Sequence, residues 1–243
     1  MSRSRRKRGD GVPQEVAAIR SRLNEFLNHI DESGRQPNNA SCGVYVFYDY
    51  DGEPIYVGQT TERLRTRIRR HLTNQRTDAV AMNVLDPFEV AEVEVYPFYE
   101  LESQQSGETV ADYKQRVKDT LAAGEYTVFQ KVLQESALGA VLNEADIPPR
   151  AQIALPTSIR ARIIPDDIYK LRKHPDIRLA RRATTVANLA RVISERDVSI
   201  GLRRTLLTQA RRLERLAGQR LHDFDGSFPV EEPGEETGET EKQ

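Results

Sequence analysis

Residues 43–58 most constrain what this chain can fold into, because they hold two short runs of β-forming residues separated by a tight-turn signal. The runs GVYVFY and PIYVG are rich in valine, isoleucine and tyrosine, which favour extended strands. The pair Asp51-Gly52 between them is typical of short hairpin turns. The sequence therefore predicts an antiparallel β-hairpin. Each strand places a tyrosine, Tyr45 or Tyr56, two positions from a glycine.

Helical and strand patterns flank the hairpin. Apolar residues recur at helical spacing over residues 13–30 and 61–72. Residues 88–95 partly alternate apolar and acidic side chains, which predicts a third strand. Residues 107–136 are largely helical in pattern, with a glycine break that would place Glu125 in the first turn of a helix. These elements predict an α/β (α+β) fold.

Composition divides the chain into four segments. Residues 1–12 are basic and are predicted to be a disordered arm, while residues 13–147 form the domain that contains the hairpin. Prolines from residue 148 onward mark a boundary, and residues 148–222 predict a basic, mainly helical region. Residues 223–243 are rich in glutamate, glycine and proline, which predicts a disordered acidic tail.

The formal net charge of −1 conceals segregated blocks of charge. Residues 61–76 carry six Arg against one Glu, and residues 160–220 carry sixteen Lys/Arg against six Asp/Glu. Such blocks are typical of a surface that binds a polyanion such as DNA, although ordinary solvated helix faces are also charged. For the C-terminal region, a helical docking or dimerisation surface is the alternative to DNA contact.

The sequence lacks the signatures of several other protein classes. It contains no phosphate-binding P-loop, no Ser-centred nucleophile elbow and no paired-His metal motif. The single cysteine, Cys42, excludes an internal disulfide framework and fits a reducing, cytoplasmic compartment. No apolar run approaches the roughly 18 residues that span a bilayer, so no membrane association is expected.

A polar set lies in and downstream of the hairpin. It consists of Tyr45, Tyr56, Arg67, His71 and Glu125. Arg67 and His71 are four residues apart in a predicted helix, so their side chains point the same way. Such a set suits phosphodiester hydrolysis, which requires an activated water, a cation on the phosphate and stabilisation of the leaving oxygen.

In this order, the motifs resemble the GIY-YIG nuclease family over roughly residues 41–143. The resemblance is carried by GVY, YVG, the Arg-x-x-x-His step and the downstream Glu, with Val in place of Ile in both half-motifs. The pattern is most similar to the type II restriction endonucleases of that family. It implies a small three-stranded mixed sheet flanked by helices. It also implies a metal-dependent endonuclease that hydrolyses DNA in restriction, phage defence or DNA processing.

The resemblance also implies a role for each residue of the polar set. Glu125 would be the protein ligand of Mg²⁺ or Mn²⁺, and Arg67 would hold the scissile phosphate. Tyr45 and Tyr56 would contact the attacking water and the phosphate, one of them as general base. His71 would assist through a hydrogen bond or as a proton shuttle.

A second group of residues is expected to contact nucleic acid. Gly58 would let a phosphate approach the backbone closely. The other members are Arg63, Arg70, Asn143, Arg203, Arg204 and Arg211. Double-stranded DNA is the expected substrate, and cleavage of both strands would use a homodimer or sequential nicking.

Two alternatives remain open from the sequence. Asn143, the candidate for the asparagine that follows the Glu helix in the family, lies eighteen residues after Glu125, a longer interval than usual. Counting back from Asn143 reaches Gln130 and Lys131, neither of which is a carboxylate. That register would indicate an inactive adaptor that binds nucleic acid or protein, although the apolar pair after Glu125 favours Glu125. A nuclease acting on single-stranded DNA or RNA is the other alternative.

Overall fold

The structure is a computed structural model of the chain, and it describes residues 13–73, 84–143 and 146–225. The predicted basic arm and residues 226–243 of the predicted acidic tail lie outside the described residues. Residues 223–225, which the sequence assigns to that tail, instead form the end of the last helix. Within the described residues, no helix is both long enough and apolar enough to cross a membrane.

The described part of the chain contains one four-stranded sheet, which confirms the α+β class. Its strands are β1 (Gly43–Tyr48), β2 (Pro54–Thr60), β3 (Glu92–Pro97) and β4 (Ile159–Arg162), in the order β2-β1-β3-β4. Every pair of neighbours is antiparallel, so the prediction of a three-stranded mixed sheet is wrong in strand number and direction. The strand β4 comes from the region predicted to be mainly helical.

Strand β4 has the sequence IRAR, in which the apolar Ile159 and Ala161 alternate with two arginines, and charge pairing with β3 adds to its stability. Arg162 lies opposite Glu92 in the ladder, and Arg160 lies opposite Glu94. The Arg160 Nε also donates to Glu92 Oε2 at 2.6 Å. Opposite charges on neighbouring strands stabilise their pairing, and this signal appears only once the two distant segments are placed side by side.

Six α-helices surround the sheet in the described residues. They are α1 (Gln14–Leu27), α2 (Leu64–Thr73), α3 (Val110–Glu135), α4 (Asp166–Arg172), α5 (Pro175–Glu195) and α6 (Ile200–Asp225). The predicted helix break before Glu125 is wrong, because α3 continues through Gly124. A Cβ on Gly124 would lie 2.6 Å from Phe98 Cζ, so this glycine allows close packing on Phe98. Glu125 therefore lies in the middle of a helix.

The two faces of the hairpin support different cores. Tyr45, Phe47 and Tyr56 share one hydrophobic cluster with residues of α1, α2, α5 and α6. Val46 and Val57 face the other way and pack with α3. The boundary near residue 148 remains a prediction about folding units, but the segments on either side of it share one sheet and one core.

The turn of the hairpin depends on a buried carboxylate. Asp49 directly follows β1 and is only 2% exposed. Its Oδ1 accepts hydrogen bonds from the backbone N–H groups of Asp51 at 2.8 Å and Glu53 at 3.1 Å. One oxygen of this side chain therefore closes the loop between β1 and β2.

The other oxygen of Asp49 binds the C-terminal helices. Its Oδ2 accepts from Arg178 at 3.1 Å, Arg182 at 2.8 Å and Arg212 at 2.8 Å. Glu89 accepts a further bond from Arg182 at 3.0 Å. Burial alone would raise the pKa of Asp49, but the three guanidinium groups outweigh burial and lower it.

We expect the substitution Asp49→Asn to lower the free energy of unfolding by about 3–5 kcal/mol at pH 7, because it removes the one carboxylate that all three buried arginines share. Chemical denaturation followed by circular dichroism measures this change. The lowered folded-state pKa means that the carboxylate stabilises the fold above its unfolded-state pKa of about 3.9. The difference between wild type and variant should therefore shrink as the pH falls below about 4.

Asp146→Asn is the matched control, because Asp146 forms an ion pair with Arg204 in which both side chains are more than half exposed. Exposed pairs of this kind contribute at most about 1 kcal/mol. An Asp49→Asn effect no larger than that of the control would show that the buried cluster does not hold the helices to the hairpin.

Candidate active site

Tyr45 is the centre of the site, and α2 holds its hydroxyl group. The side chain is fully buried on β1. Its Oη accepts a hydrogen bond from Arg67 Nε at 3.2 Å and lies 2.8 Å from His71 Nε2. Leu64 and Ile68, both fully buried, fix the rotation of α2 over the sheet. The predicted one-turn spacing of Arg67 and His71 thus converges on one phenol oxygen.

These contacts suit one arrangement of the protons. Because Arg67 already donates to the Tyr45 oxygen, we assign the phenol proton to the bond with His71 and Nε2 as the acceptor nitrogen. The proton of the neutral imidazole is consequently on Nδ1. That atom is buried and makes no hydrogen bond within the described residues.

Burial keeps His71 uncharged. The residue is 1% exposed, and burial, followed by the nearby charges of Arg67 and Arg70, lowers its pKa to about 3. A neutral imidazole with so low a pKa is a weak proton acceptor. In the protein without substrate, His71 therefore orients the Tyr45 hydroxyl group and does not deprotonate it.

Tyr56 and Gly58 complete this side of the site. The Tyr56 ring stacks on Tyr45 with the ring centroids 6.2 Å apart and lies 5.3 Å from the ring of His71. Gly58 is opposite Tyr45 in the β1–β2 ladder. A Cβ at Gly58 would lie 2.6 Å from Tyr45 Oη, so the phenol occupies the space that any larger residue would need.

Asn143 supports the strand that carries Tyr56 and Gly58. Its Nδ2 donates to the Val57 carbonyl at 2.7 Å, and its Oδ1 accepts from the Val57 N–H at 3.3 Å. The backbone of Leu142 donates to Ile55 at 3.0 Å, so this segment covers the outer edge of β2. The structure thus uses the Asn143 amide within the protein, whereas the sequence suggested a nucleic-acid contact.

Glu125 lies on the helix that covers the other face of the sheet. Its neighbours Leu121 and Val128 are buried in the cluster that contains Val57. Gly124 packs on Phe98, which follows β3 in the chain, and this marks one flank of α3. Helical geometry puts Glu125 on the other flank, toward the edge strand β2, where it is half-buried.

The alternative register, which counts back from Asn143 to Gln130 and Lys131, places a lysine instead of a carboxylate next to the sheet. Lys131 donates to the Tyr96 hydroxyl group at 2.8 Å and lies 3.7 Å from Glu94. Glu94 also accepts from Tyr48 and Tyr96 at 2.6 and 2.9 Å. Lys131 is thus part of a polar network under β3. Among the described residues, no three His, Cys, Asp or Glu side chains are grouped to hold a metal.

The predicted nucleic-acid contacts are dispersed. Arg63 is exposed near the start of α2, and Arg70 forms an ion pair with Glu62. In α6, Arg203 and Arg211 are exposed, while Arg204 is paired with Asp146. The structure therefore brings Tyr45, Tyr56, Gly58, Arg67 and His71 together and leaves the C-terminal arginines outside that cluster.

The sequence reasoning missed the three buried arginines that bind Asp49, which are Arg178, Arg182 and Arg212. Arg178 and Arg182 occupy the buried stripe of α5 together with Thr185, Leu189 and Val192. The two arginines are four residues apart and continue the buried face of the helix, and this spacing could have shown that they are buried. Arginines at core positions of a helix indicate buried acidic partners, and they do not indicate a DNA-binding face.

We expect the His71 ring to remain neutral at pH 5, with its proton on Nδ1, because of its burial and its bond to Tyr45. Two-dimensional ¹⁵N–¹H spectra of the four histidines distinguish the tautomers and charge states. The His71→Asn variant assigns the signal. A doubly protonated His71 at pH 5 would contradict the proton arrangement inferred for the site.

We expect Gly58→Ala to displace the Tyr45 phenol, since the new methyl group would overlap its oxygen. The variant should lose about 1–3 kcal/mol of stability through overpacking, and the His71 Nε2 signal should shift as its hydrogen bond to Tyr45 weakens. Val132→Ile, which overpacks the opposite face, is the control and should leave that signal in place. An unchanged signal in Gly58→Ala would mean that the phenol does not depend on the glycine.

Of three comparisons with known proteins, the one with protein-family models finds a match, and it lies in the region of the site. No curated protein and no solved structure matches the chain. Residues 41–119 match the family model of the GIY-YIG catalytic domain, which indicates a nuclease-type domain in this part of the chain. The match covers about a third of the sequence and includes Tyr45, Tyr56, Arg67 and His71. The resemblance to the GIY-YIG nuclease family is thereby confirmed for residues 41–119.

Proposed function

We propose that this protein is a metal-dependent endonuclease that hydrolyses phosphodiester bonds of DNA. The observation that carries the proposal is the Tyr45 hydroxyl group, which is held between Arg67 Nε and His71 Nε2 beside a glycine backbone. A buried phenol with two fixed partners has one orientation. Fixed orientation of this kind contributes to catalysis by holding groups in a reactive geometry.

Arg67 connects the phenol to the substrate. A guanidinium group has five N–H donors in a rigid fork, and its geometry matches the oxygens of a phosphate. In this proposal Arg67 holds the scissile phosphate with this fork while its Nε donates to Tyr45. The phosphate and the phenol would then be held by the same side chain, and the attacking water would lie between them.

The general base must act without a basic histidine. His71 orients Tyr45, and its pKa of about 3 makes it a poor acceptor until an anionic phosphate comes near and raises that pKa. A phenol with its usual pKa of about 10 is also mostly protonated at neutral pH. Tyr45 or Tyr56 would therefore position the attacking water, and deprotonation of that water would require a divalent metal ion.

One feature of Glu125 fits such a metal, but its helix packs on the face of the sheet opposite to the face that carries Tyr45. Glu125 is half-buried on the flank of α3 nearer to β2, and Mg²⁺ is commonly bound by one or two carboxylates together with water and substrate phosphate. A group of three protein ligands is not needed for that chemistry. Bound Mg²⁺ or Mn²⁺ would lower the pKa of water and neutralise the leaving oxygen. The sequence register that assigns this role to Glu125 is part of the proposal.

Double-stranded DNA is the proposed substrate, and the product would carry 5′-phosphate and 3′-hydroxyl ends. Cutting both strands with one Tyr45 site per chain would require either a homodimer or sequential nicking. Restriction, phage defence or DNA processing is the proposed biological setting. The cleavage pattern on plasmid DNA separates single nicks from paired cuts.

The test incubates the wild-type protein with supercoiled plasmid, single-stranded DNA and RNA, each with Mg²⁺, Mn²⁺ or EDTA. We expect nicking or linearisation of the plasmid with a metal ion and none with EDTA. Tyr45→Phe and Glu125→Gln should each lower the cleavage rate by about 10²–10⁴-fold, the usual cost of removing an acid–base or electrostatic group. Glu135→Gln, at the exposed end of α3, is the matched control and should cleave normally.

The outcomes discriminate between the candidate functions. Normal cleavage by Glu125→Gln would contradict the assignment of the metal ligand. DNA binding without cleavage under every metal ion would contradict the nuclease proposal and would favour an adaptor protein. Cleavage restricted to RNA or single strands would overturn the choice of double-stranded DNA while preserving the site.

A further inference from the structure

The arginines of the C-terminal helices fall into two sets with different environments. The inner set, Arg178, Arg182 and Arg212, is buried and shares the carboxylate of Asp49. The outer set, Arg203, Arg204 and Arg211, is exposed on α6. The inner arginines therefore have a role in the core as partners of Asp49, whereas the exposed Arg203 and Arg211 are not part of the core.

The outer set forms a continuous stripe on α6. Arg203, Leu207 and Arg211 are spaced four residues apart, so they lie along one ridge of the helix. Leu207 is 52% exposed in the middle of this ridge. The opposite face of the same helix carries buried Leu202, Thr205, Gln209 and Arg212. Residues 200–213 contain no acidic residue, and the exposed Glu214 lies at the end of the stripe, one turn after Arg211.

Hydrogen bonds connect α6 to the strand that carries the site. The Thr205 hydroxyl group donates to the Asn143 carbonyl at 2.9 Å. The Asn143 side chain pairs with both backbone groups of Val57, which lies between Tyr56 and Gly58. Two side-chain contacts therefore link the α6 helix to the β2 edge of the site, and the exposed stripe runs along the same helix.

We propose that the stripe formed by Arg203, Arg204, Leu207 and Arg211 binds the phosphate backbone of the double-stranded DNA that the protein cleaves. This inference rests on the proposed nuclease function. Arg203 and Arg211 are about 12 Å apart along the helix axis, while phosphates of one strand rise by about 3.4 Å per nucleotide. The stripe is therefore long enough for its two end arginines to contact different phosphates of one strand. It positions the duplex without reading its bases.

Two further features favour DNA over a protein as the occupant. Arg204 is bonded to Asp146 at 2.7 Å, but both side chains are more than 60% exposed, so a phosphate can replace the carboxylate at little cost. Leu207 has arginines one turn away on either side, so a protein partner would have to place acidic groups opposite them. A DNA backbone accepts the charges and leaves the leucine at the rim.

The test measures affinity for a duplex oligonucleotide as a function of salt, in EDTA and with the Tyr45→Phe variant as background, so that no cleavage occurs. The slope of log affinity against log salt reports the number of phosphates neutralised, at about 0.9 per contact. We expect Arg203→Ala/Arg211→Ala to reduce this slope by about 1.8. We expect Leu207→Lys, which adds a cation to the ridge, to steepen it by about 0.9.

Lys114→Ala/Arg191→Ala is the matched control, because it removes two exposed cations from α3 and α5. Its slope should equal that of the background protein. Equal slopes for the stripe variants and this control would overturn the inference. A stripe variant that changes the oligomeric mass in light scattering but leaves the slope unchanged would also overturn it, in favour of a protein interface.

The same experiment separates this inference from the nuclease proposal. Binding in EDTA does not require cleavage, so the slopes can be measured even if the wild-type protein cuts no substrate. Changed slopes without cleavage would support the stripe as a DNA surface and contradict the nuclease function. Unchanged slopes with normal cleavage would contradict the stripe as a DNA surface and would support the nuclease function.

Discussion

The carboxylate of Asp49 is the interaction on which the arrangement of this protein depends. One of its oxygens closes the turn between β1 and β2, and the other accepts from three arginines of α5 and α6. The same side chain therefore shapes the hairpin and attaches the C-terminal helices to it. Moving a charged carboxylate out of water costs free energy, and the hydrogen bonds that Asp49 accepts from two backbone N–H groups and three arginines offset that cost. The docking of the helices is consequently specific to one position on the hairpin.

The tyrosine site lies within the same hairpin, held from two sides. Asp49 fixes the turn next to Tyr48, three residues from Tyr45, and Asn143 fixes the outer edge of β2 at Val57. Thr205 of α6 in turn holds the backbone of Asn143. Helices outside the matched residues 41–119 thus support the strands that carry Tyr45 and Tyr56. The geometry of the site is a property of the longer chain, because these supports come from residues 143–212.

Local and nonlocal interactions differ in how far the sequence predicts them. The hairpin, the class of the fold and the one-turn spacing of Arg67 and His71 depend on neighbours in the sequence, and each was predictable from β-propensity, turn residues and helical periodicity. Strand β4 depends on Glu92, some seventy residues away, and Gly124 depends on Phe98 across a helix–sheet contact. Helix propensity alone predicts a helix break at Gly124, whereas in the structure the helix continues and the glycine allows close packing on Phe98. The inner arginines were misread for the same reason, since their acidic partners are distant in sequence.

The burial of His71 has a consequence for how such a site can work. A solvent-exposed histidine would be partly charged near neutral pH and would compete with Arg67 for the phosphate and for the phenol oxygen. Burial removes that charge, so only one ring nitrogen carries a proton, and in the tautomer assigned here Nε2 accepts the proton of Tyr45. The desolvation of His71 therefore helps to orient the Tyr45 hydroxyl group and also makes the imidazole a weaker base. A site built in this way needs its base from elsewhere, which is the role that the metal ion proposed at Glu125 would fill.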